Sequence, residues 1–142
     1  MIRAFESADL DALLAIWLRV NIAAHDFIDP QYWRDNAALV RSLLPQAAIL
    51  VAEAEGGGID GFIGVVDDSY IAGLFVVPDR QGTGIGGSLL ARCQQQYGWL
   101  TLDVYRKNVR ACRFYQRHGF TVQQEKVNAG SGETEYLMQW RR

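Results

Sequence analysis

The stretch Gln81-Gly82-Thr83-Gly84-Ile85-Gly86-Gly87 constrains this chain more than any other. Before it runs an apolar segment, Tyr70 to Val77, which reads as a β-strand. After it, from Gly84 to Gln96, the residues Ile85, Leu89, Leu90 and Cys93 fall on one face of a helix. Glycines at such a junction let the backbone approach a ligand closely and turn their N–H groups toward it. The helix N-terminus adds its partial positive charge, so the ensemble suits an anion. The same glycines also make a tight turn that needs no ligand.

The rest of the chain alternates strands and helices. Ile2 to Phe5 reads as a short strand, and Ser7 as the N-cap of a helix with Asp9 in its first turn. Leu10, Leu13, Leu14, Trp17 and Leu18 give that helix an apolar stripe. Asp29-Pro30 starts a second helix, with Trp33, Ala37, Val40 and Leu44 as its stripe and Pro45 as its stop. Ala47 to Ala54 and Gly61 to Val66 flank the glycine-rich turn after Glu55, and Asp67-Asp68-Ser69 turns the chain into Tyr70 to Val77. Trp99 to Val104 is a further strand. Asn108 caps a last helix that ends at Gly119, a C′ glycine. Phe120 to Val127 and Glu135 to Trp140 close as a hairpin. The 142 residues contain no repeat or linker and are expected to form one mixed α/β domain spanning 1–142.

Hydrophobic residues make up 49% and charged residues 21%, which suits a packed core. The formal net charge of −2 gives no basic excess, and argues against nucleic acid as a partner. Its distribution is uneven. Residues 78–118 hold seven basic side chains and two acids, a net of +5; the remainder holds seven basic residues and 14 acids, a net of −7. Cys93 and Cys112 do not make a disulfide framework or a metal motif, and no His or Cys spacing suggests a metal. The opening residues soon turn acidic, unlike a signal or transit peptide, and no apolar run approaches the roughly 20 residues of a membrane helix. The expectation is a cytoplasmic protein with reduced thiols and no membrane partner.

A Walker A loop needs a lysine after its glycines, and none follows here. A dinucleotide fingerprint matches formally through Gly82, Gly84 and Gly87, with Asp103 near the place of a ribose-binding acid. Against it, Pro78-Asp79-Arg80-Gln81 separates the strand from the first glycine. Too little chain also follows for two mononucleotide-binding halves.

Gln81-x-x-Gly84-x-Gly86, preceded by Leu74-Phe75-Val76-Val77-Pro78, resembles the acyl-CoA pyrophosphate loop of the GNAT superfamily of N-acetyltransferases. Asn108-x-x-Ala111-x-x-Phe114-Tyr115-x-x-x-Gly119-Phe120 resembles the same superfamily's second signature, in the expected order. The specific resemblance covers about residues 70–120, and the small single-domain bacterial members are nearest in character. It implies a mostly antiparallel sheet of about seven strands with helices on both faces and one splayed parallel pair. It also implies acetyl transfer from acetyl-CoA to a primary amine, a protein lysine or a small molecule, in a ternary complex.

By the same resemblance, pantetheine lies between the strand at Tyr70–Val77 and that at Trp99–Val104, held by backbone groups of Phe75, Val76 and Val77. Pyrophosphate sits on the N–H groups of Gln81, Gly82, Thr83, Gly84, Ile85 and Gly86. Asn108 adds a contact to the coenzyme arm beside its role as a cap, and Tyr115 protonates the departing thiolate. The base stays open among His25, Asp67, Asp68, Tyr70, Asp103 and Tyr105. Of these, His25, Tyr70 and Tyr105 are taken as acceptor-side residues, and His25 reads equally as a surface-loop histidine. Arg110, Arg113 and Arg117 read as a solvated helix face, and no one arginine is singled out for the 3′-phosphate. The other reading, from a different class, is a non-catalytic acyl-CoA-binding or regulatory domain. Oligomeric state is not legible.

Overall fold

A computed structural model describes the whole chain, Met1 to Arg142. The strands are β1 (Ile2–Ala4), β2 (Ala48–Glu53), β3 (Ile59–Val66), β4 (Tyr70–Val76), β5 (Trp99–Tyr105), β6 (Thr121–Val127) and β7 (Thr134–Arg141). The helices are α1 (Leu10–Ala24), α2 (Pro30–Leu43), α3 (Ile85–Gln96) and α4 (Val109–Arg117). All seven strands join one sheet in the order β1-β2-β3-β4-β5-β7-β6. Every neighbouring pair is antiparallel except β4 and β5, which run parallel. This is the mixed α/β architecture expected from the sequence.

Two cores lie on opposite faces. On one, Leu89, Leu90 and Cys93 of α3 and Cys112 and Tyr115 of α4 pack against Ile63, Ile71, Leu100, Leu102 and Met138. On the other, Leu13, Ile16, Trp17 and Val20 of α1 and Trp33 of α2 pack against Ile49, Val51, Phe62 and Tyr105. The buried stripe of α1 is therefore Leu13, Ile16, Trp17 and Val20, with Leu10, Leu14 and Leu18 only half-buried. The helix is apolar on two adjoining faces, one for the sheet and one for α2, so its periodicity allows either stripe.

Two local expectations differ at the first helix. Ser7–Asp9 form a 3-10 turn rather than a helix start, and Ser7 is not a cap. Instead the Asp9 carboxylate accepts from the Glu6 N–H at 2.8 Å and pairs with Arg3 at 2.9 Å. Asp9 is buried, and the charge-assisted bond to Arg3 holds its carboxyl below the usual range. The second helix starts as read, with Asp29 accepting from the Gln31 N–H at 2.9 Å.

The feature that positions the site is in β4. Gly64 pairs with Gly73 and Val65 with Ile71, which leaves Ala72 as an extra residue. Such a bulge bends its strand. Only Tyr70 with Thr101 and Ile71 with Leu102 pair between β4 and β5, and beyond the bulge the two strands part.

Candidate functional site

The gap between the parted strands is bordered by the backbone of β4. The Val77 N–H is already used, donating to the Asp60 carbonyl at 2.8 Å across toward β3. Alternation along the strand then turns the N–H groups of Val76 and Leu74 to the gap side. The Val76 carbonyl, also on that side, accepts from Gln81 Nε2 at 3.0 Å. Of the three residues expected to hold an extended ligand, Val76 is placed to donate. Phe75 and Val77 present their N–H groups toward β3. Leu74 was missed because strand parity is invisible until the register is known.

Beyond Val76, Pro78–Arg80 make one 3-10 turn, and the loop reaches α3 through Gly82 (φ 79°) and Gly84 (φ 90°). Both φ values fall in the left-handed region, where a side chain costs roughly 1–2 kcal/mol. The first backbone N–H of the helix to be bonded is that of Ser88, which donates to Gly84 at 3.0 Å. The N–H groups of Gly82, Thr83, Gly84, Ile85, Gly86 and Gly87 have no acceptor within the chain. Beside Gly82 and Gly84 a Cβ would meet nothing within 4 Å. A run of unpaired donors at the N-terminus of a 12-residue helix fits a phosphate-bearing ligand.

The Gln81 side chain links the end of β4 to α4. Its Nε2 holds the Val76 carbonyl, and its Oε1 accepts from Arg110 Nη1 on α4 at 2.8 Å. Three of the seven basic residues in the positive stretch are paired with acids from outside it: Arg80 with Asp60 at 3.5 Å, Arg106 with Glu125 at 2.6 Å and Lys107 with Glu133 at 3.0 Å. A cavity of about 450 Å³ beside the loop has Glu53, Glu55 and Asp60 in its wall. Acids from the rest of the chain thus approach the positive stretch and offset part of its charge.

Tyr115 lies in α4 at 8% exposure, with Phe114 and Phe120 edge-on at 5.2 and 5.5 Å. Its hydroxyl makes no hydrogen bond within the chain, and burial pushes its pKa up, so it holds its proton at neutral pH. Cys93, a thiol in the same core, is pushed by burial up to about 11.

Asn108 caps α4 as expected, its Oδ1 accepting from the Ala111 N–H at 3.2 Å. Its Nδ2 lies 3.2 Å from His25 Nε2, and His25 Nδ1 lies 3.0 Å from the Asn21 carbonyl. Only one tautomer fits both contacts: Nδ1–H donates to Asn21, and Nε2 accepts from Asn108. His25 is thus neutral, and burial lowers its pKa. It is stacked on Trp33 at 5.2 Å and edge-on to Tyr105 at 5.1 Å. The surface-loop reading of His25 is corrected, since the side chain is 9% exposed. Phe27 in the α1–α2 connection, Trp33 on α2 and Tyr105 on β5 enclose it.

Tyr70 and Tyr105 stand on the α1/α2 side. Tyr70 Oη donates to Asp103 Oδ2 at 2.6 Å. The other Asp103 oxygen lies 3.0 Å from Lys126 Nζ, an ion-pair contact without hydrogen-bond alignment. Glu135, buried on β7 and accepting from Asn128 at 3.2 Å, is held above the usual carboxylate range by burial. Tyr105 Oη donates to Ser131 at 3.1 Å, and burial pushes its phenol up to about 12. A polar stripe thus crosses β4, β5, β7 and β6. Lys126 and Glu135 were missed because they reach it through two strand registers. A second cavity, of about 660 Å³, lies at the β3–β4 turn with Asp67 and Asp68 at its rim and Phe62, Phe75 and Trp17 in its wall.

A family model described as an acetyltransferase (GNAT) domain matches residues 45–122. The chain belongs to the GNAT family, and its class is that of the acetyl-CoA-dependent N-acetyltransferases. The peptidyl-lysine N-acetyltransferase YiaC of Escherichia coli (strain K12) is 39% identical over 123 residues, 86% of this chain and 84% of that protein. The solution structure of apo-form YjaB from Escherichia coli matches with a TM-score of 0.86 at 31% identity, covering 99% of this chain and 96% of the other. The PaiA N-acetyltransferase from Thermoplasma acidophilum, solved in complex with coenzyme A, shares the fold with a TM-score of 0.78 at 19% identity, covering 100% and 98%. No helix here is long and apolar enough to cross a membrane.

Proposed function

We propose that residues 1–142 act as one catalytic domain that transfers the acetyl group of acetyl-CoA to the ε-amino group of a protein or peptide lysine, by direct attack in a ternary complex. The observation that carries the coenzyme half is the run of six unpaired N–H groups, Gly82 to Gly87, beside a gap bordered by β4. Pyrophosphate takes the loop donors, and pantetheine fills the gap against Leu74 and Val76. An N–H of β4 directed at the thioester oxygen stabilises the charge that develops there. Asn108 bounds the coenzyme arm from the α4 side.

The amine attacks the thioester carbonyl, the C–S bond breaks, and Tyr115 gives its proton to sulfur. Burial keeps the Tyr115 phenol protonated, so it still carries the proton when the thiolate departs. The choice of lysine over a small amine is supported by the peptidyl-lysine activity named for YiaC. Buried, unpaired Cys93 and Cys112 suit a reducing cytoplasm.

Thiol release from acetyl-CoA, followed with a lysine peptide and with a panel of small amines, tests this reading. Release with the peptide supports it, and release only with small amines transfers the assignment to them. Coenzyme binding with no release for any amine supports the non-catalytic, regulatory alternative.

A further inference from the structure

Only two of the chain's 14 basic residues are lysines, Lys107 and Lys126; the other 12 are arginines (14 − 2). Lys107 pairs with Glu133 and lies over the Phe27 ring at 5.5 Å. Lys126 is placed differently. From β6, at the sheet edge, its side chain crosses β7 to bring Nζ within 3.0 Å of Asp103 Oδ1 on β5. Asp103 is the first β5 residue past the last rung shared with β4, that of Ile71 and Leu102. Its second oxygen is fixed by Tyr70, the residue at the start of β4. The Lys126 amine therefore stands where the two strands begin to part, with its side chain 39% exposed. For an ion pair alone an arginine serves as well or better, because its fork binds a carboxylate through two N–H groups.

We propose that Lys126 is a self-acetylation site, modified in cis by the acetyl-CoA held in the gap. The inference rests on the acetyl-transfer reading above. One ammonium proton passes to Asp103 and on to solvent, freeing the lone pair. The Nζ–C bond forms and the C–S bond breaks. Tyr115 protonates the sulfur, and the second amine proton released as the amide forms restores Tyr115. The products are Nε-acetyl-lysine, coenzyme A and one proton. Acetylation also removes the charge that faces Asp103.

The full chain incubated with acetyl-CoA alone, followed by intact mass and peptide mapping, tests this, with a lysine peptide assayed in parallel. The expected result is one acetyl group on Lys126 and none on Lys107. Its half-time should stay unchanged on roughly tenfold dilution, as an intramolecular step requires. Lys126→Arg, checked to bind acetyl-CoA, should remain unlabelled, and Tyr115→Phe should label about a hundredfold more slowly. Equal labelling of both lysines, or labelling equally fast in Tyr115→Phe, marks unassisted reaction with the thioester and overturns the proposal. Peptide acetylation with Lys126 unmodified overturns this inference alone. No acetylation of peptide or chain overturns it together with the reading beneath it.

Discussion

At the head of α3, six consecutive backbone N–H groups stand without partners, while across the sheet the polar groups are side chains drawn from four strands: Tyr70, Asp103 and Lys126 are tied together, and Glu135 is held by Asn128. Backbone donors tolerate many sequences around them, provided the glycines keep φ near 80–90° at Gly82 and Gly84. Side-chain clusters depend on each residue and on the register that brings it in. The contrast suits a protein whose coenzyme is constant and whose acceptor has to be discriminated. It gives a means of separating the two halves by mutation.

The largest effect on coenzyme binding is expected from the loop. Gly84→Val forces a β-branched residue to φ 90°, which costs roughly 1–2 kcal/mol and moves the first N–H groups of α3. Coenzyme affinity measured by calorimetry should fall by tenfold or more, on the order of 1.4 kcal/mol. If it is unchanged, the loop is only a turn. A smaller effect is expected on the other side: Asp103→Asn should raise KM for a lysine peptide by about tenfold while leaving coenzyme affinity intact. A loss of coenzyme affinity in that variant would mean that the two regions do not act separately.

How much of this was legible from the residues divides along the same line. The glycine loop, the Asn108 cap and the left-handed Gly119 (φ 91°) all announce themselves within a few positions, because caps and turns are local chemistry. The strands and helices appeared in the right order for the same reason. Asp103, Lys126 and Glu135 meet only through pairings of β5 with β7 and of β7 with β6, which no local pattern encodes. The clamp from Gln81 to Arg110 is likewise a consequence of where α4 lands. At the first helix the misreadings have a physical source too. Ser7 is a good cap residue by type, but Arg3 on β1 recruits Asp9 for the turn instead.

The smallest predicted effect concerns pH. His25 is neutral in the fold with its pKa lowered by burial, so the unfolded chain binds the extra proton first. Stability is unaffected well above the ordinary histidine value of about 6.5 and declines as pH falls through it toward the folded value. Chemical denaturation of the native chain and of His25→Gln should therefore show a shallower decline in the variant below about pH 6.5. An identical slope would mean that the Asn108–His25–Asn21 connection does not hold the ring neutral.

The central claim is that one buried phenol performs chemistry while the backbone loop performs binding. It is tested most directly by Tyr115→Phe, with kcat for a lysine peptide and Kd for acetyl-CoA measured on the same preparation. The account predicts a kcat lower by about 10²–10⁴-fold with Kd essentially unchanged. A Kd that weakens in step with the rate, or a kcat close to the parent's, would contradict it and leave Tyr115 as part of the α3/α4 core.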